Sequence, residues 1–352
     1  MKGRGDRLAG ALADRELDLM LVTELTNIRY LTGFTGTNGA CICGPETRLF
    51  LTDFRYTERA AAEVEGWETI TVSDDWLGGI AAHLTGRVGF EDDHVSVRLL
   101  ERLRGKLADG VEAVAAGGTV ETLRRVKDDG ELAAIAAASE LADAVWAWSV
   151  ERGLGGRSER EVARAAEAQI RELGGDPSFP AIVAAGPNGA LPHAEPGERE
   201  IGGGDLVVFD MGAKLDGYCS DGTRTFAVGE PGERGREVYE TVRAAQAAAL
   251  DAVAAGLGGE ALDAVAREAI AAAGYGERFG HGLGHGVGLE VHEAPRVSPR
   301  SEDVLATGEV VTIEPGIYLP GELGVRIEDF VVVTEDGCRN LSGLPKELQL
   351  VE

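Results

Sequence analysis

Asp210, Asp221, His285, Glu314 and Glu328 each fall in a strand-like, glycine-punctuated segment of the chain, outside any charged run of the kind that covers a solvent face. Four carboxylates and one imidazole make an oxygen-rich donor set able to hold two divalent cations. Such cations turn water into a nucleophile near neutral pH, so these residue types point to hydrolysis.

The elements that must position them can be read locally. The run from Leu206 to Asp210 is apolar until its last residue and reads as a buried strand. Asp216-Gly217 then offers a two-residue hairpin turn. That turn pairs 215 with 218 and 210 with 223, leaving Asp221 two residues from the partner of Asp210. Alternation puts both carboxylates on one face, with Cβ atoms roughly 7–8 Å apart. Buried without partners they would be costly, and a cation removes that cost.

From His281 to Gly288 glycine alternates with other residues. The GxGxxG pattern of a dinucleotide loop is absent. Read as a strand, the segment sets His281 and His285 on one face with nothing bulky between them. Four of the six histidines (His193, His281, His285 and His292) lie in this part of the chain, which favours chemistry over core packing. Val310 to Glu314 is a strand ending in a carboxylate. Val325 to Phe330 puts Arg326 and Glu328 on the same strand face, where Arg326 orients a carboxylate or pairs with Glu328 or Asp216.

The first 120 or so residues alternate helical and strand patterns, which argues for an α/β domain. Helices are expected from Gly5 to Arg15, Arg55 to Val64 and Val97 to Leu107. Strands are expected at Leu19 to Thr23, Arg48 to Thr52 and Val88 to Glu91. The charged segment Arg124 to Gly130 precedes a long alanine-rich helix, Glu131 to Arg152. The boundary belongs near Val120 to Arg124, giving domains 1–121 and 122–352. The second domain holds an internal echo. Gly153-Leu154-Gly155-Gly156 recurs at Gly256-Leu257-Gly258-Gly259, and Val162-Ala163-Arg164 at Val265-Ala266-Arg267, both 103 residues on. Asp210 and Glu314 keep nearly the same spacing, as do Asp221 and Glu328. A duplicated α+β unit is expected, with the site between its copies.

The bulk numbers exclude some partners. A formal charge of −26 and a pI near 4.6 repel phosphate backbones and anionic membranes. The first twenty residues carry charge throughout and lack a signal-peptide core, so a cytoplasmic protein is expected. Cys41, Cys43, Cys219 and Cys338 are too scattered for a disulfide framework and read as reduced.

Taken together, these segments resemble the pita-bread metallopeptidases: prolidase, the Xaa-Pro aminopeptidases and methionine aminopeptidase, with creatinase as a metal-free relative. The resemblance runs through FDMGAKLDGYCSD and SDGTRTF (Asp210, Asp221), HGLGHGVGLEVHEAP (His281, His285, His292), TIEPGIY (Glu314), GVRIED (Glu328) and LPHAE (His193). All five ligand positions are filled, unlike in creatinase. The segment Asn27 to Phe34 resembles the N-terminal-domain signature of the prolidase and creatinase branch, which methionine aminopeptidases lack. The resemblance implies hydrolysis of Xaa-Pro bonds with two divalent ions, Mn2+ first and Co2+ or Zn2+ as alternatives, in a homodimer acting on proline-containing di- or oligopeptides. It implies that Asp210, Asp221, His285, Glu314 and Glu328 hold metal, with Asp221 and Glu328 shared, and that Glu314 also takes the water proton. His193 and His292 would steady the carbonyl oxygen, and His281 would line the cleft. Phe179 is a candidate wall of a proline pocket. Arg296, with Arg300 beyond it, is a candidate for the free carboxylate of a dipeptide. The reading favours an Xaa-Pro dipeptidase over an aminopeptidase, with a non-catalytic peptide-binding scaffold as the remote alternative.

Overall fold

The alternating pattern of the first 124 residues becomes a mixed six-stranded sheet. Its order is Glu68–Thr71, Arg48–Thr52, Ala40–Cys43, Leu19–Val22, Arg87–Phe90, Glu112–Ala115. The structure, a computed structural model, describes residues 3–352. It divides into two units, Met1–Arg124 and Arg125–Glu352. In the first, Leu21, Ile42, Leu51 and Val88 fill the core against Ile80 and Leu103. Helices Arg4–Ala13 and Val97–Arg104 form as the periodicity predicts. The expected helix at 55–64 begins as a 3-10 turn, Phe54–Tyr56, before Thr57–Glu63.

The Asn27 to Phe34 signature lies on a further helix, Leu25–Thr32, which Gly33 ends in the left-handed conformation. Asn27 Nδ2 donates to both Glu91 and Glu121, and the Tyr30 hydroxyl donates to the Leu123 carbonyl. The signature therefore fastens this helix inside its own unit. All four cysteines are free thiols. Burial pushes Cys43 and Cys219 up to about 11, which keeps them protonated and unreactive.

The second unit is built twice from a long helix, a short helix and a sheet. Asp129–Glu151 and Glu159–Glu172 open the first copy, and Gly232–Ala252 and Gly259–Ala272 open the second. Reciprocal capping boxes, Asp128 with Glu131 and Ser158 with Glu161, start both helices of the first copy. The first sheet orders Leu350–Val351, Thr223–Val228, Leu206–Asp210, Ile182–Ala185. The second orders Glu293–Val297, Gly284–Gly286, Val310–Ile313, Asp329–Val333, Cys338–Asn340, beside a hairpin of Gly316–Leu319 and Leu323–Arg326.

The duplication is present, but its register differs from the sequence echo. In the short helices the buried positions Val162, Ala166 and Ile170 correspond to Leu262, Ala266 and Ile270, a spacing of 100. Gly156 N–H donates to Ile201 as Gly256 N–H donates to Leu305. In the strands the spacing is 104 to 105: Gly204 N–H donates to Val228 as Gly308 N–H donates to Val333. The matches at 103 are therefore out of frame in the helices. In a chain with 50 glycines a short glycine match arises cheaply. Burial every three or four residues has no such freedom. Among the described residues, no helix is long and apolar enough to cross a membrane.

Candidate metal centre and substrate cavity

The hairpin carrying Asp210 and Asp221 forms in the register read from its turn. Leu215 pairs with Tyr218, and Asp210 with Thr223. Asp216 and Gly217 both take positive φ, 47° and 83°, as a two-residue turn of the I′ type needs. Asp221 thus sits diagonally from Asp210, ahead of the strand Thr223–Val228.

The histidine segment departs from expectation. Only Gly284–Gly286 is strand, and its register shifts between His285 and Gly286. His281 precedes the strand instead of sharing its face. The short strand is closely packed: a Cβ on Gly284 would strike the Thr312 carbonyl, and one on Gly286 the Ala294 carbonyl. Both histidines still line one cavity of about 590 Å³. Arg326 and Glu328 also depart from a single strand. Leu323–Arg326 ends the small hairpin, Asp329–Val333 begins the next strand, and Glu328 lies between them. Arg326 pairs with Asp210, at 2.6 Å, and with neither Glu328 nor Asp216.

The five donors converge. One ligand atom from each of Asp221, His285 and Glu328 lies within 4.8 Å of the other two. His285 Nε2 is 3.6 Å from Asp221 Oδ2 and 3.3 Å from Glu314 Oε1. His285 Nδ1 donates to the Gly286 carbonyl at 3.1 Å, which directs Nε2 at the carboxylates. Thr223 Oγ1 donates to Glu328 Oε2 at 2.7 Å and receives Arg326 Nε at 3.0 Å. Thr312 receives the His285 N–H and donates to Glu314 Oε1.

Burial governs the electrostatics. Asp210, Asp221, His285 and Glu328 are all below a tenth exposed. Desolvation, then repulsion from the neighbouring acids, holds Asp221 and Glu328 well above the usual carboxylate range. Desolvation also raises Asp210, against the pull of Arg326. Glu314 is held low, because the His285 hydrogen bond and nearby cations outweigh its burial. The same acids lift His285 to about 9 although burial opposes it. Burial lowers His281 and His292. Asp210 Oδ1 is buried and has no hydrogen-bond partner. An orphaned carboxylate oxygen, mutually repelling buried acids and an aimed imidazole fit a divalent cation.

The remaining expected residues take distinct places. His292 packs edge-on against His285, ring centroids 4.3 Å apart. His193 and Arg296 are exposed residues of the cavity lining, and Phe179 is a half-buried wall. Arg300 is exposed and does not line the cavity. Arg326 is 4 % exposed, and its guanidinium donates to Asp210, Thr223, Tyr318 and the Pro192 carbonyl. Those bonds make it an orienting group for Asp210.

Sequence reasoning missed Thr223, Thr312 and Tyr318. The Tyr318 hydroxyl receives Arg326 Nη1 at 3.0 Å and meets His281 Nε2 at 2.8 Å. Period-two spacing from Glu314 through Gly316 was the available signal, and Gly316 has no room for a Cβ beside the Tyr318 ring.

Comparison with known proteins agrees with this arrangement. The sequence pattern of metallopeptidase family M24 matches residues 133–335, and that of the creatinase/prolidase N-terminal domain matches residues 4–126. An Xaa-Pro dipeptidase of Pyrococcus furiosus is 38 % identical over 99 % of this chain and 100 % of its own. The solved Xaa-Pro dipeptidase from Bacillus anthracis superposes with a TM-score of 0.96 at 39 % identity, covering 99 % of both chains. An X-Pro aminopeptidase from Thermotoga maritima superposes at 0.92 with 36 % identity, covering 99 % of this chain and 100 % of that one.

Proposed function

The chain belongs to metallopeptidase family M24, and from that premise we propose that it is an Xaa-Pro dipeptidase, cleaving the bond before proline in dipeptides. The observation that carries the reading is the convergence of Asp210, Asp221, His285, Glu314 and Glu328 on one small cavity with an unpartnered carboxylate oxygen. These five residues would hold the divalent ions, and their mostly oxygen donors suit Mn2+. When bound, the cations supply positive charge that acidifies a water molecule and offsets the buried carboxylates.

The chain's own groups do the rest. Glu314, held ionised beside His285, accepts the proton of the attacking water. His292 and His193 donate to the carbonyl oxygen as it gains negative charge. Burial keeps His281 neutral, and Tyr318 fixes its ring against the cavity wall. Proline has no N–H and a fixed φ, so a shaped apolar wall can select it. Phe179, with Ile182 and Val291 in the same lining, offers such a wall. Arg296 would receive the free carboxylate of a dipeptide.

A second reading, an Xaa-Pro aminopeptidase acting on longer peptides, is favoured by the likeness to the Thermotoga maritima structure. The deciding assay offers a proline dipeptide and a longer peptide with proline second, both with Mn2+. Cleavage of the dipeptide alone supports the proposal, and cleavage of the longer peptide replaces it with the second reading. Assembly as a cytoplasmic homodimer is part of the same proposal and rests on the family pattern. Sedimentation of the purified protein reads the subunit number.

A further inference from the structure

Thr223 and Glu328 form an isolated antiparallel bridge between the two copies of the duplicated unit. The bridge carries one backbone hydrogen bond, Glu328 N–H to the Thr223 carbonyl at 3.0 Å. A single bond of this kind is weak support for a strand junction. The junction nevertheless sets the spacing between the carboxylates of Asp221 and Glu328, which lie two residues before Thr223 and at Glu328 itself.

Beside the bridge the Thr225 hydroxyl donates to the Arg326 carbonyl and accepts the Arg326 N–H, and at the bridge itself Arg224 adds buried support. Its guanidinium is fully buried and paired with Asp329 at 2.6 Å, with side-chain exposures of 2 % and 0 %. Nη1 donates to the carbonyls of both bridge residues, Thr223 and Glu328. Nη2 donates to Asp329 and to the Leu344 carbonyl, and Nε to the Pro345 carbonyl. Lys346, Gln246 and Asn340 hold the other oxygen of Asp329. Asp143, on the long helix of the first copy, receives Gly343 N–H, while Tyr239, on the long helix of the second, donates to the Lys346 carbonyl. Residues 342–346 thus run as a strap between the copies, and Arg224 ties the strap to the bridge.

We propose that Thr223 and Arg224 are positioning residues that latch the two halves together and hold Asp221 and Glu328 at metal-binding distance. This rests on the assignment of Asp221 and Glu328 as metal ligands. A planar guanidinium reaches two carbonyls, a carboxylate and the strap at once, whereas an ammonium on a flexible stem does not. On the other side of the bridge, the Thr223 hydroxyl fixes the Glu328 carboxylate and the Arg326 fork.

The test measures Mn2+ dissociation constants by equilibrium dialysis, with circular dichroism to confirm folding and kcat and KM for a proline dipeptide. Arg224→Lys is expected to fold and to weaken Mn2+ binding by roughly 10–100-fold, the usual effect of losing a partner that orients a ligand. kcat falls at fixed metal concentration while KM stays within about twofold, since neither residue meets the peptide. Thr223→Val is expected to weaken metal binding in the same range, and Thr223→Ser, which keeps the hydroxyl, to recover most of it. A folded Arg224→Lys with the parent's Mn2+ affinity overturns the latch. If that variant does not fold, the Thr223 pair decides: equal affinities for valine and serine overturn it. A parent protein that binds no Mn2+ overturns the ligand assignment instead.

Discussion

Asp210 receives Arg326 Nη2 at 2.6 Å through one oxygen, while its other oxygen is buried without a partner. One half of the carboxylate is committed to the protein and the other half is left for a cation. Arg326→Met therefore strands a buried carboxylate. In the metal-free protein the loss is expected to be about 3–5 kcal/mol, the cost of breaking a buried pair from one side. Saturating Mn2+ should restore part of it, because the cation supplies the missing charge. Urea unfolding with and without Mn2+ measures both quantities. A variant as stable as the parent without metal would contradict the pairing.

Asp221 faces His285 at 3.6 Å and shares a cluster with it and Glu328. Asp221→Asn removes a charge while keeping its shape. Stoichiometric metal should be lost and turnover should fall by at least about 100-fold, within the range seen when one group that stabilises transition-state charge is removed. Metal analysis of the purified variant, followed by a dipeptide assay, reads the outcome. Full metal content with normal turnover would remove Asp221 from the centre.

Much of this centre is legible in local sequence. The Asp216-Gly217 turn dictates the pairing of Asp210 with Thr223, because a two-residue turn leaves one register open. The end-of-strand carboxylate Glu314 follows from a short apolar run. What local reasoning misses depends on contacts distant in sequence. His281 lies ahead of the strand, which opens at Gly284 packed on the Thr312 carbonyl, a neighbour 28 residues away. Arg326 chooses Asp210, and Tyr318 meets His281, for the same kind of reason. The duplication was visible but misaligned, since glycine matches carry less register information than the buried faces Val162-Ala166-Ile170 and Leu262-Ala266-Ile270.

Stability and metal binding should depend on pH in opposite senses. Asp221 and Glu328 are raised by burial and mutual repulsion, and His285 is raised to about 9. For all three, the native metal-free state holds protons that the unfolded chain releases. Its stability therefore falls as pH rises. The His285 contribution is complete below its ordinary pKa of about 6.5 and is gone above about 9. Glu314, held low, acts the other way, contributing above the ordinary carboxylate range and losing its effect in acid. A cation needs His285 neutral and the acids ionised, so Mn2+ affinity should rise between about pH 6 and 9. Thermal unfolding of the stripped protein and Mn2+ titration across that range check the two slopes. An affinity independent of pH would argue that His285 does not bind the metal.

Arg296 stands directly opposite His285 in the antiparallel pair of Gly284–Gly286 with Glu293–Val297. Directly opposed residues share a face, with Cβ atoms about 4.5–5.5 Å apart. Because His285 faces the metal cluster, Arg296 faces the cavity beside it, and both belong to the cavity lining. Its side chain is exposed, and its backbone N–H is the group fastened to Asp303. A free carboxylate just after proline would meet this guanidinium, whereas a longer peptide carries an uncharged amide at that point. Arg296→Met should therefore raise KM for a proline dipeptide by about 10-fold or more, as expected for a charge-assisted hydrogen bond worth about 1.5–3 kcal/mol, and leave kcat nearly unchanged. Cleavage of the matching dipeptide amide, which lacks the free carboxylate, should be unaffected by the substitution. Steady-state kinetics on the two substrates separates the cases. A loss of kcat on both would place Arg296 in the chemical step, and no change on the dipeptide would assign the carboxylate to another group.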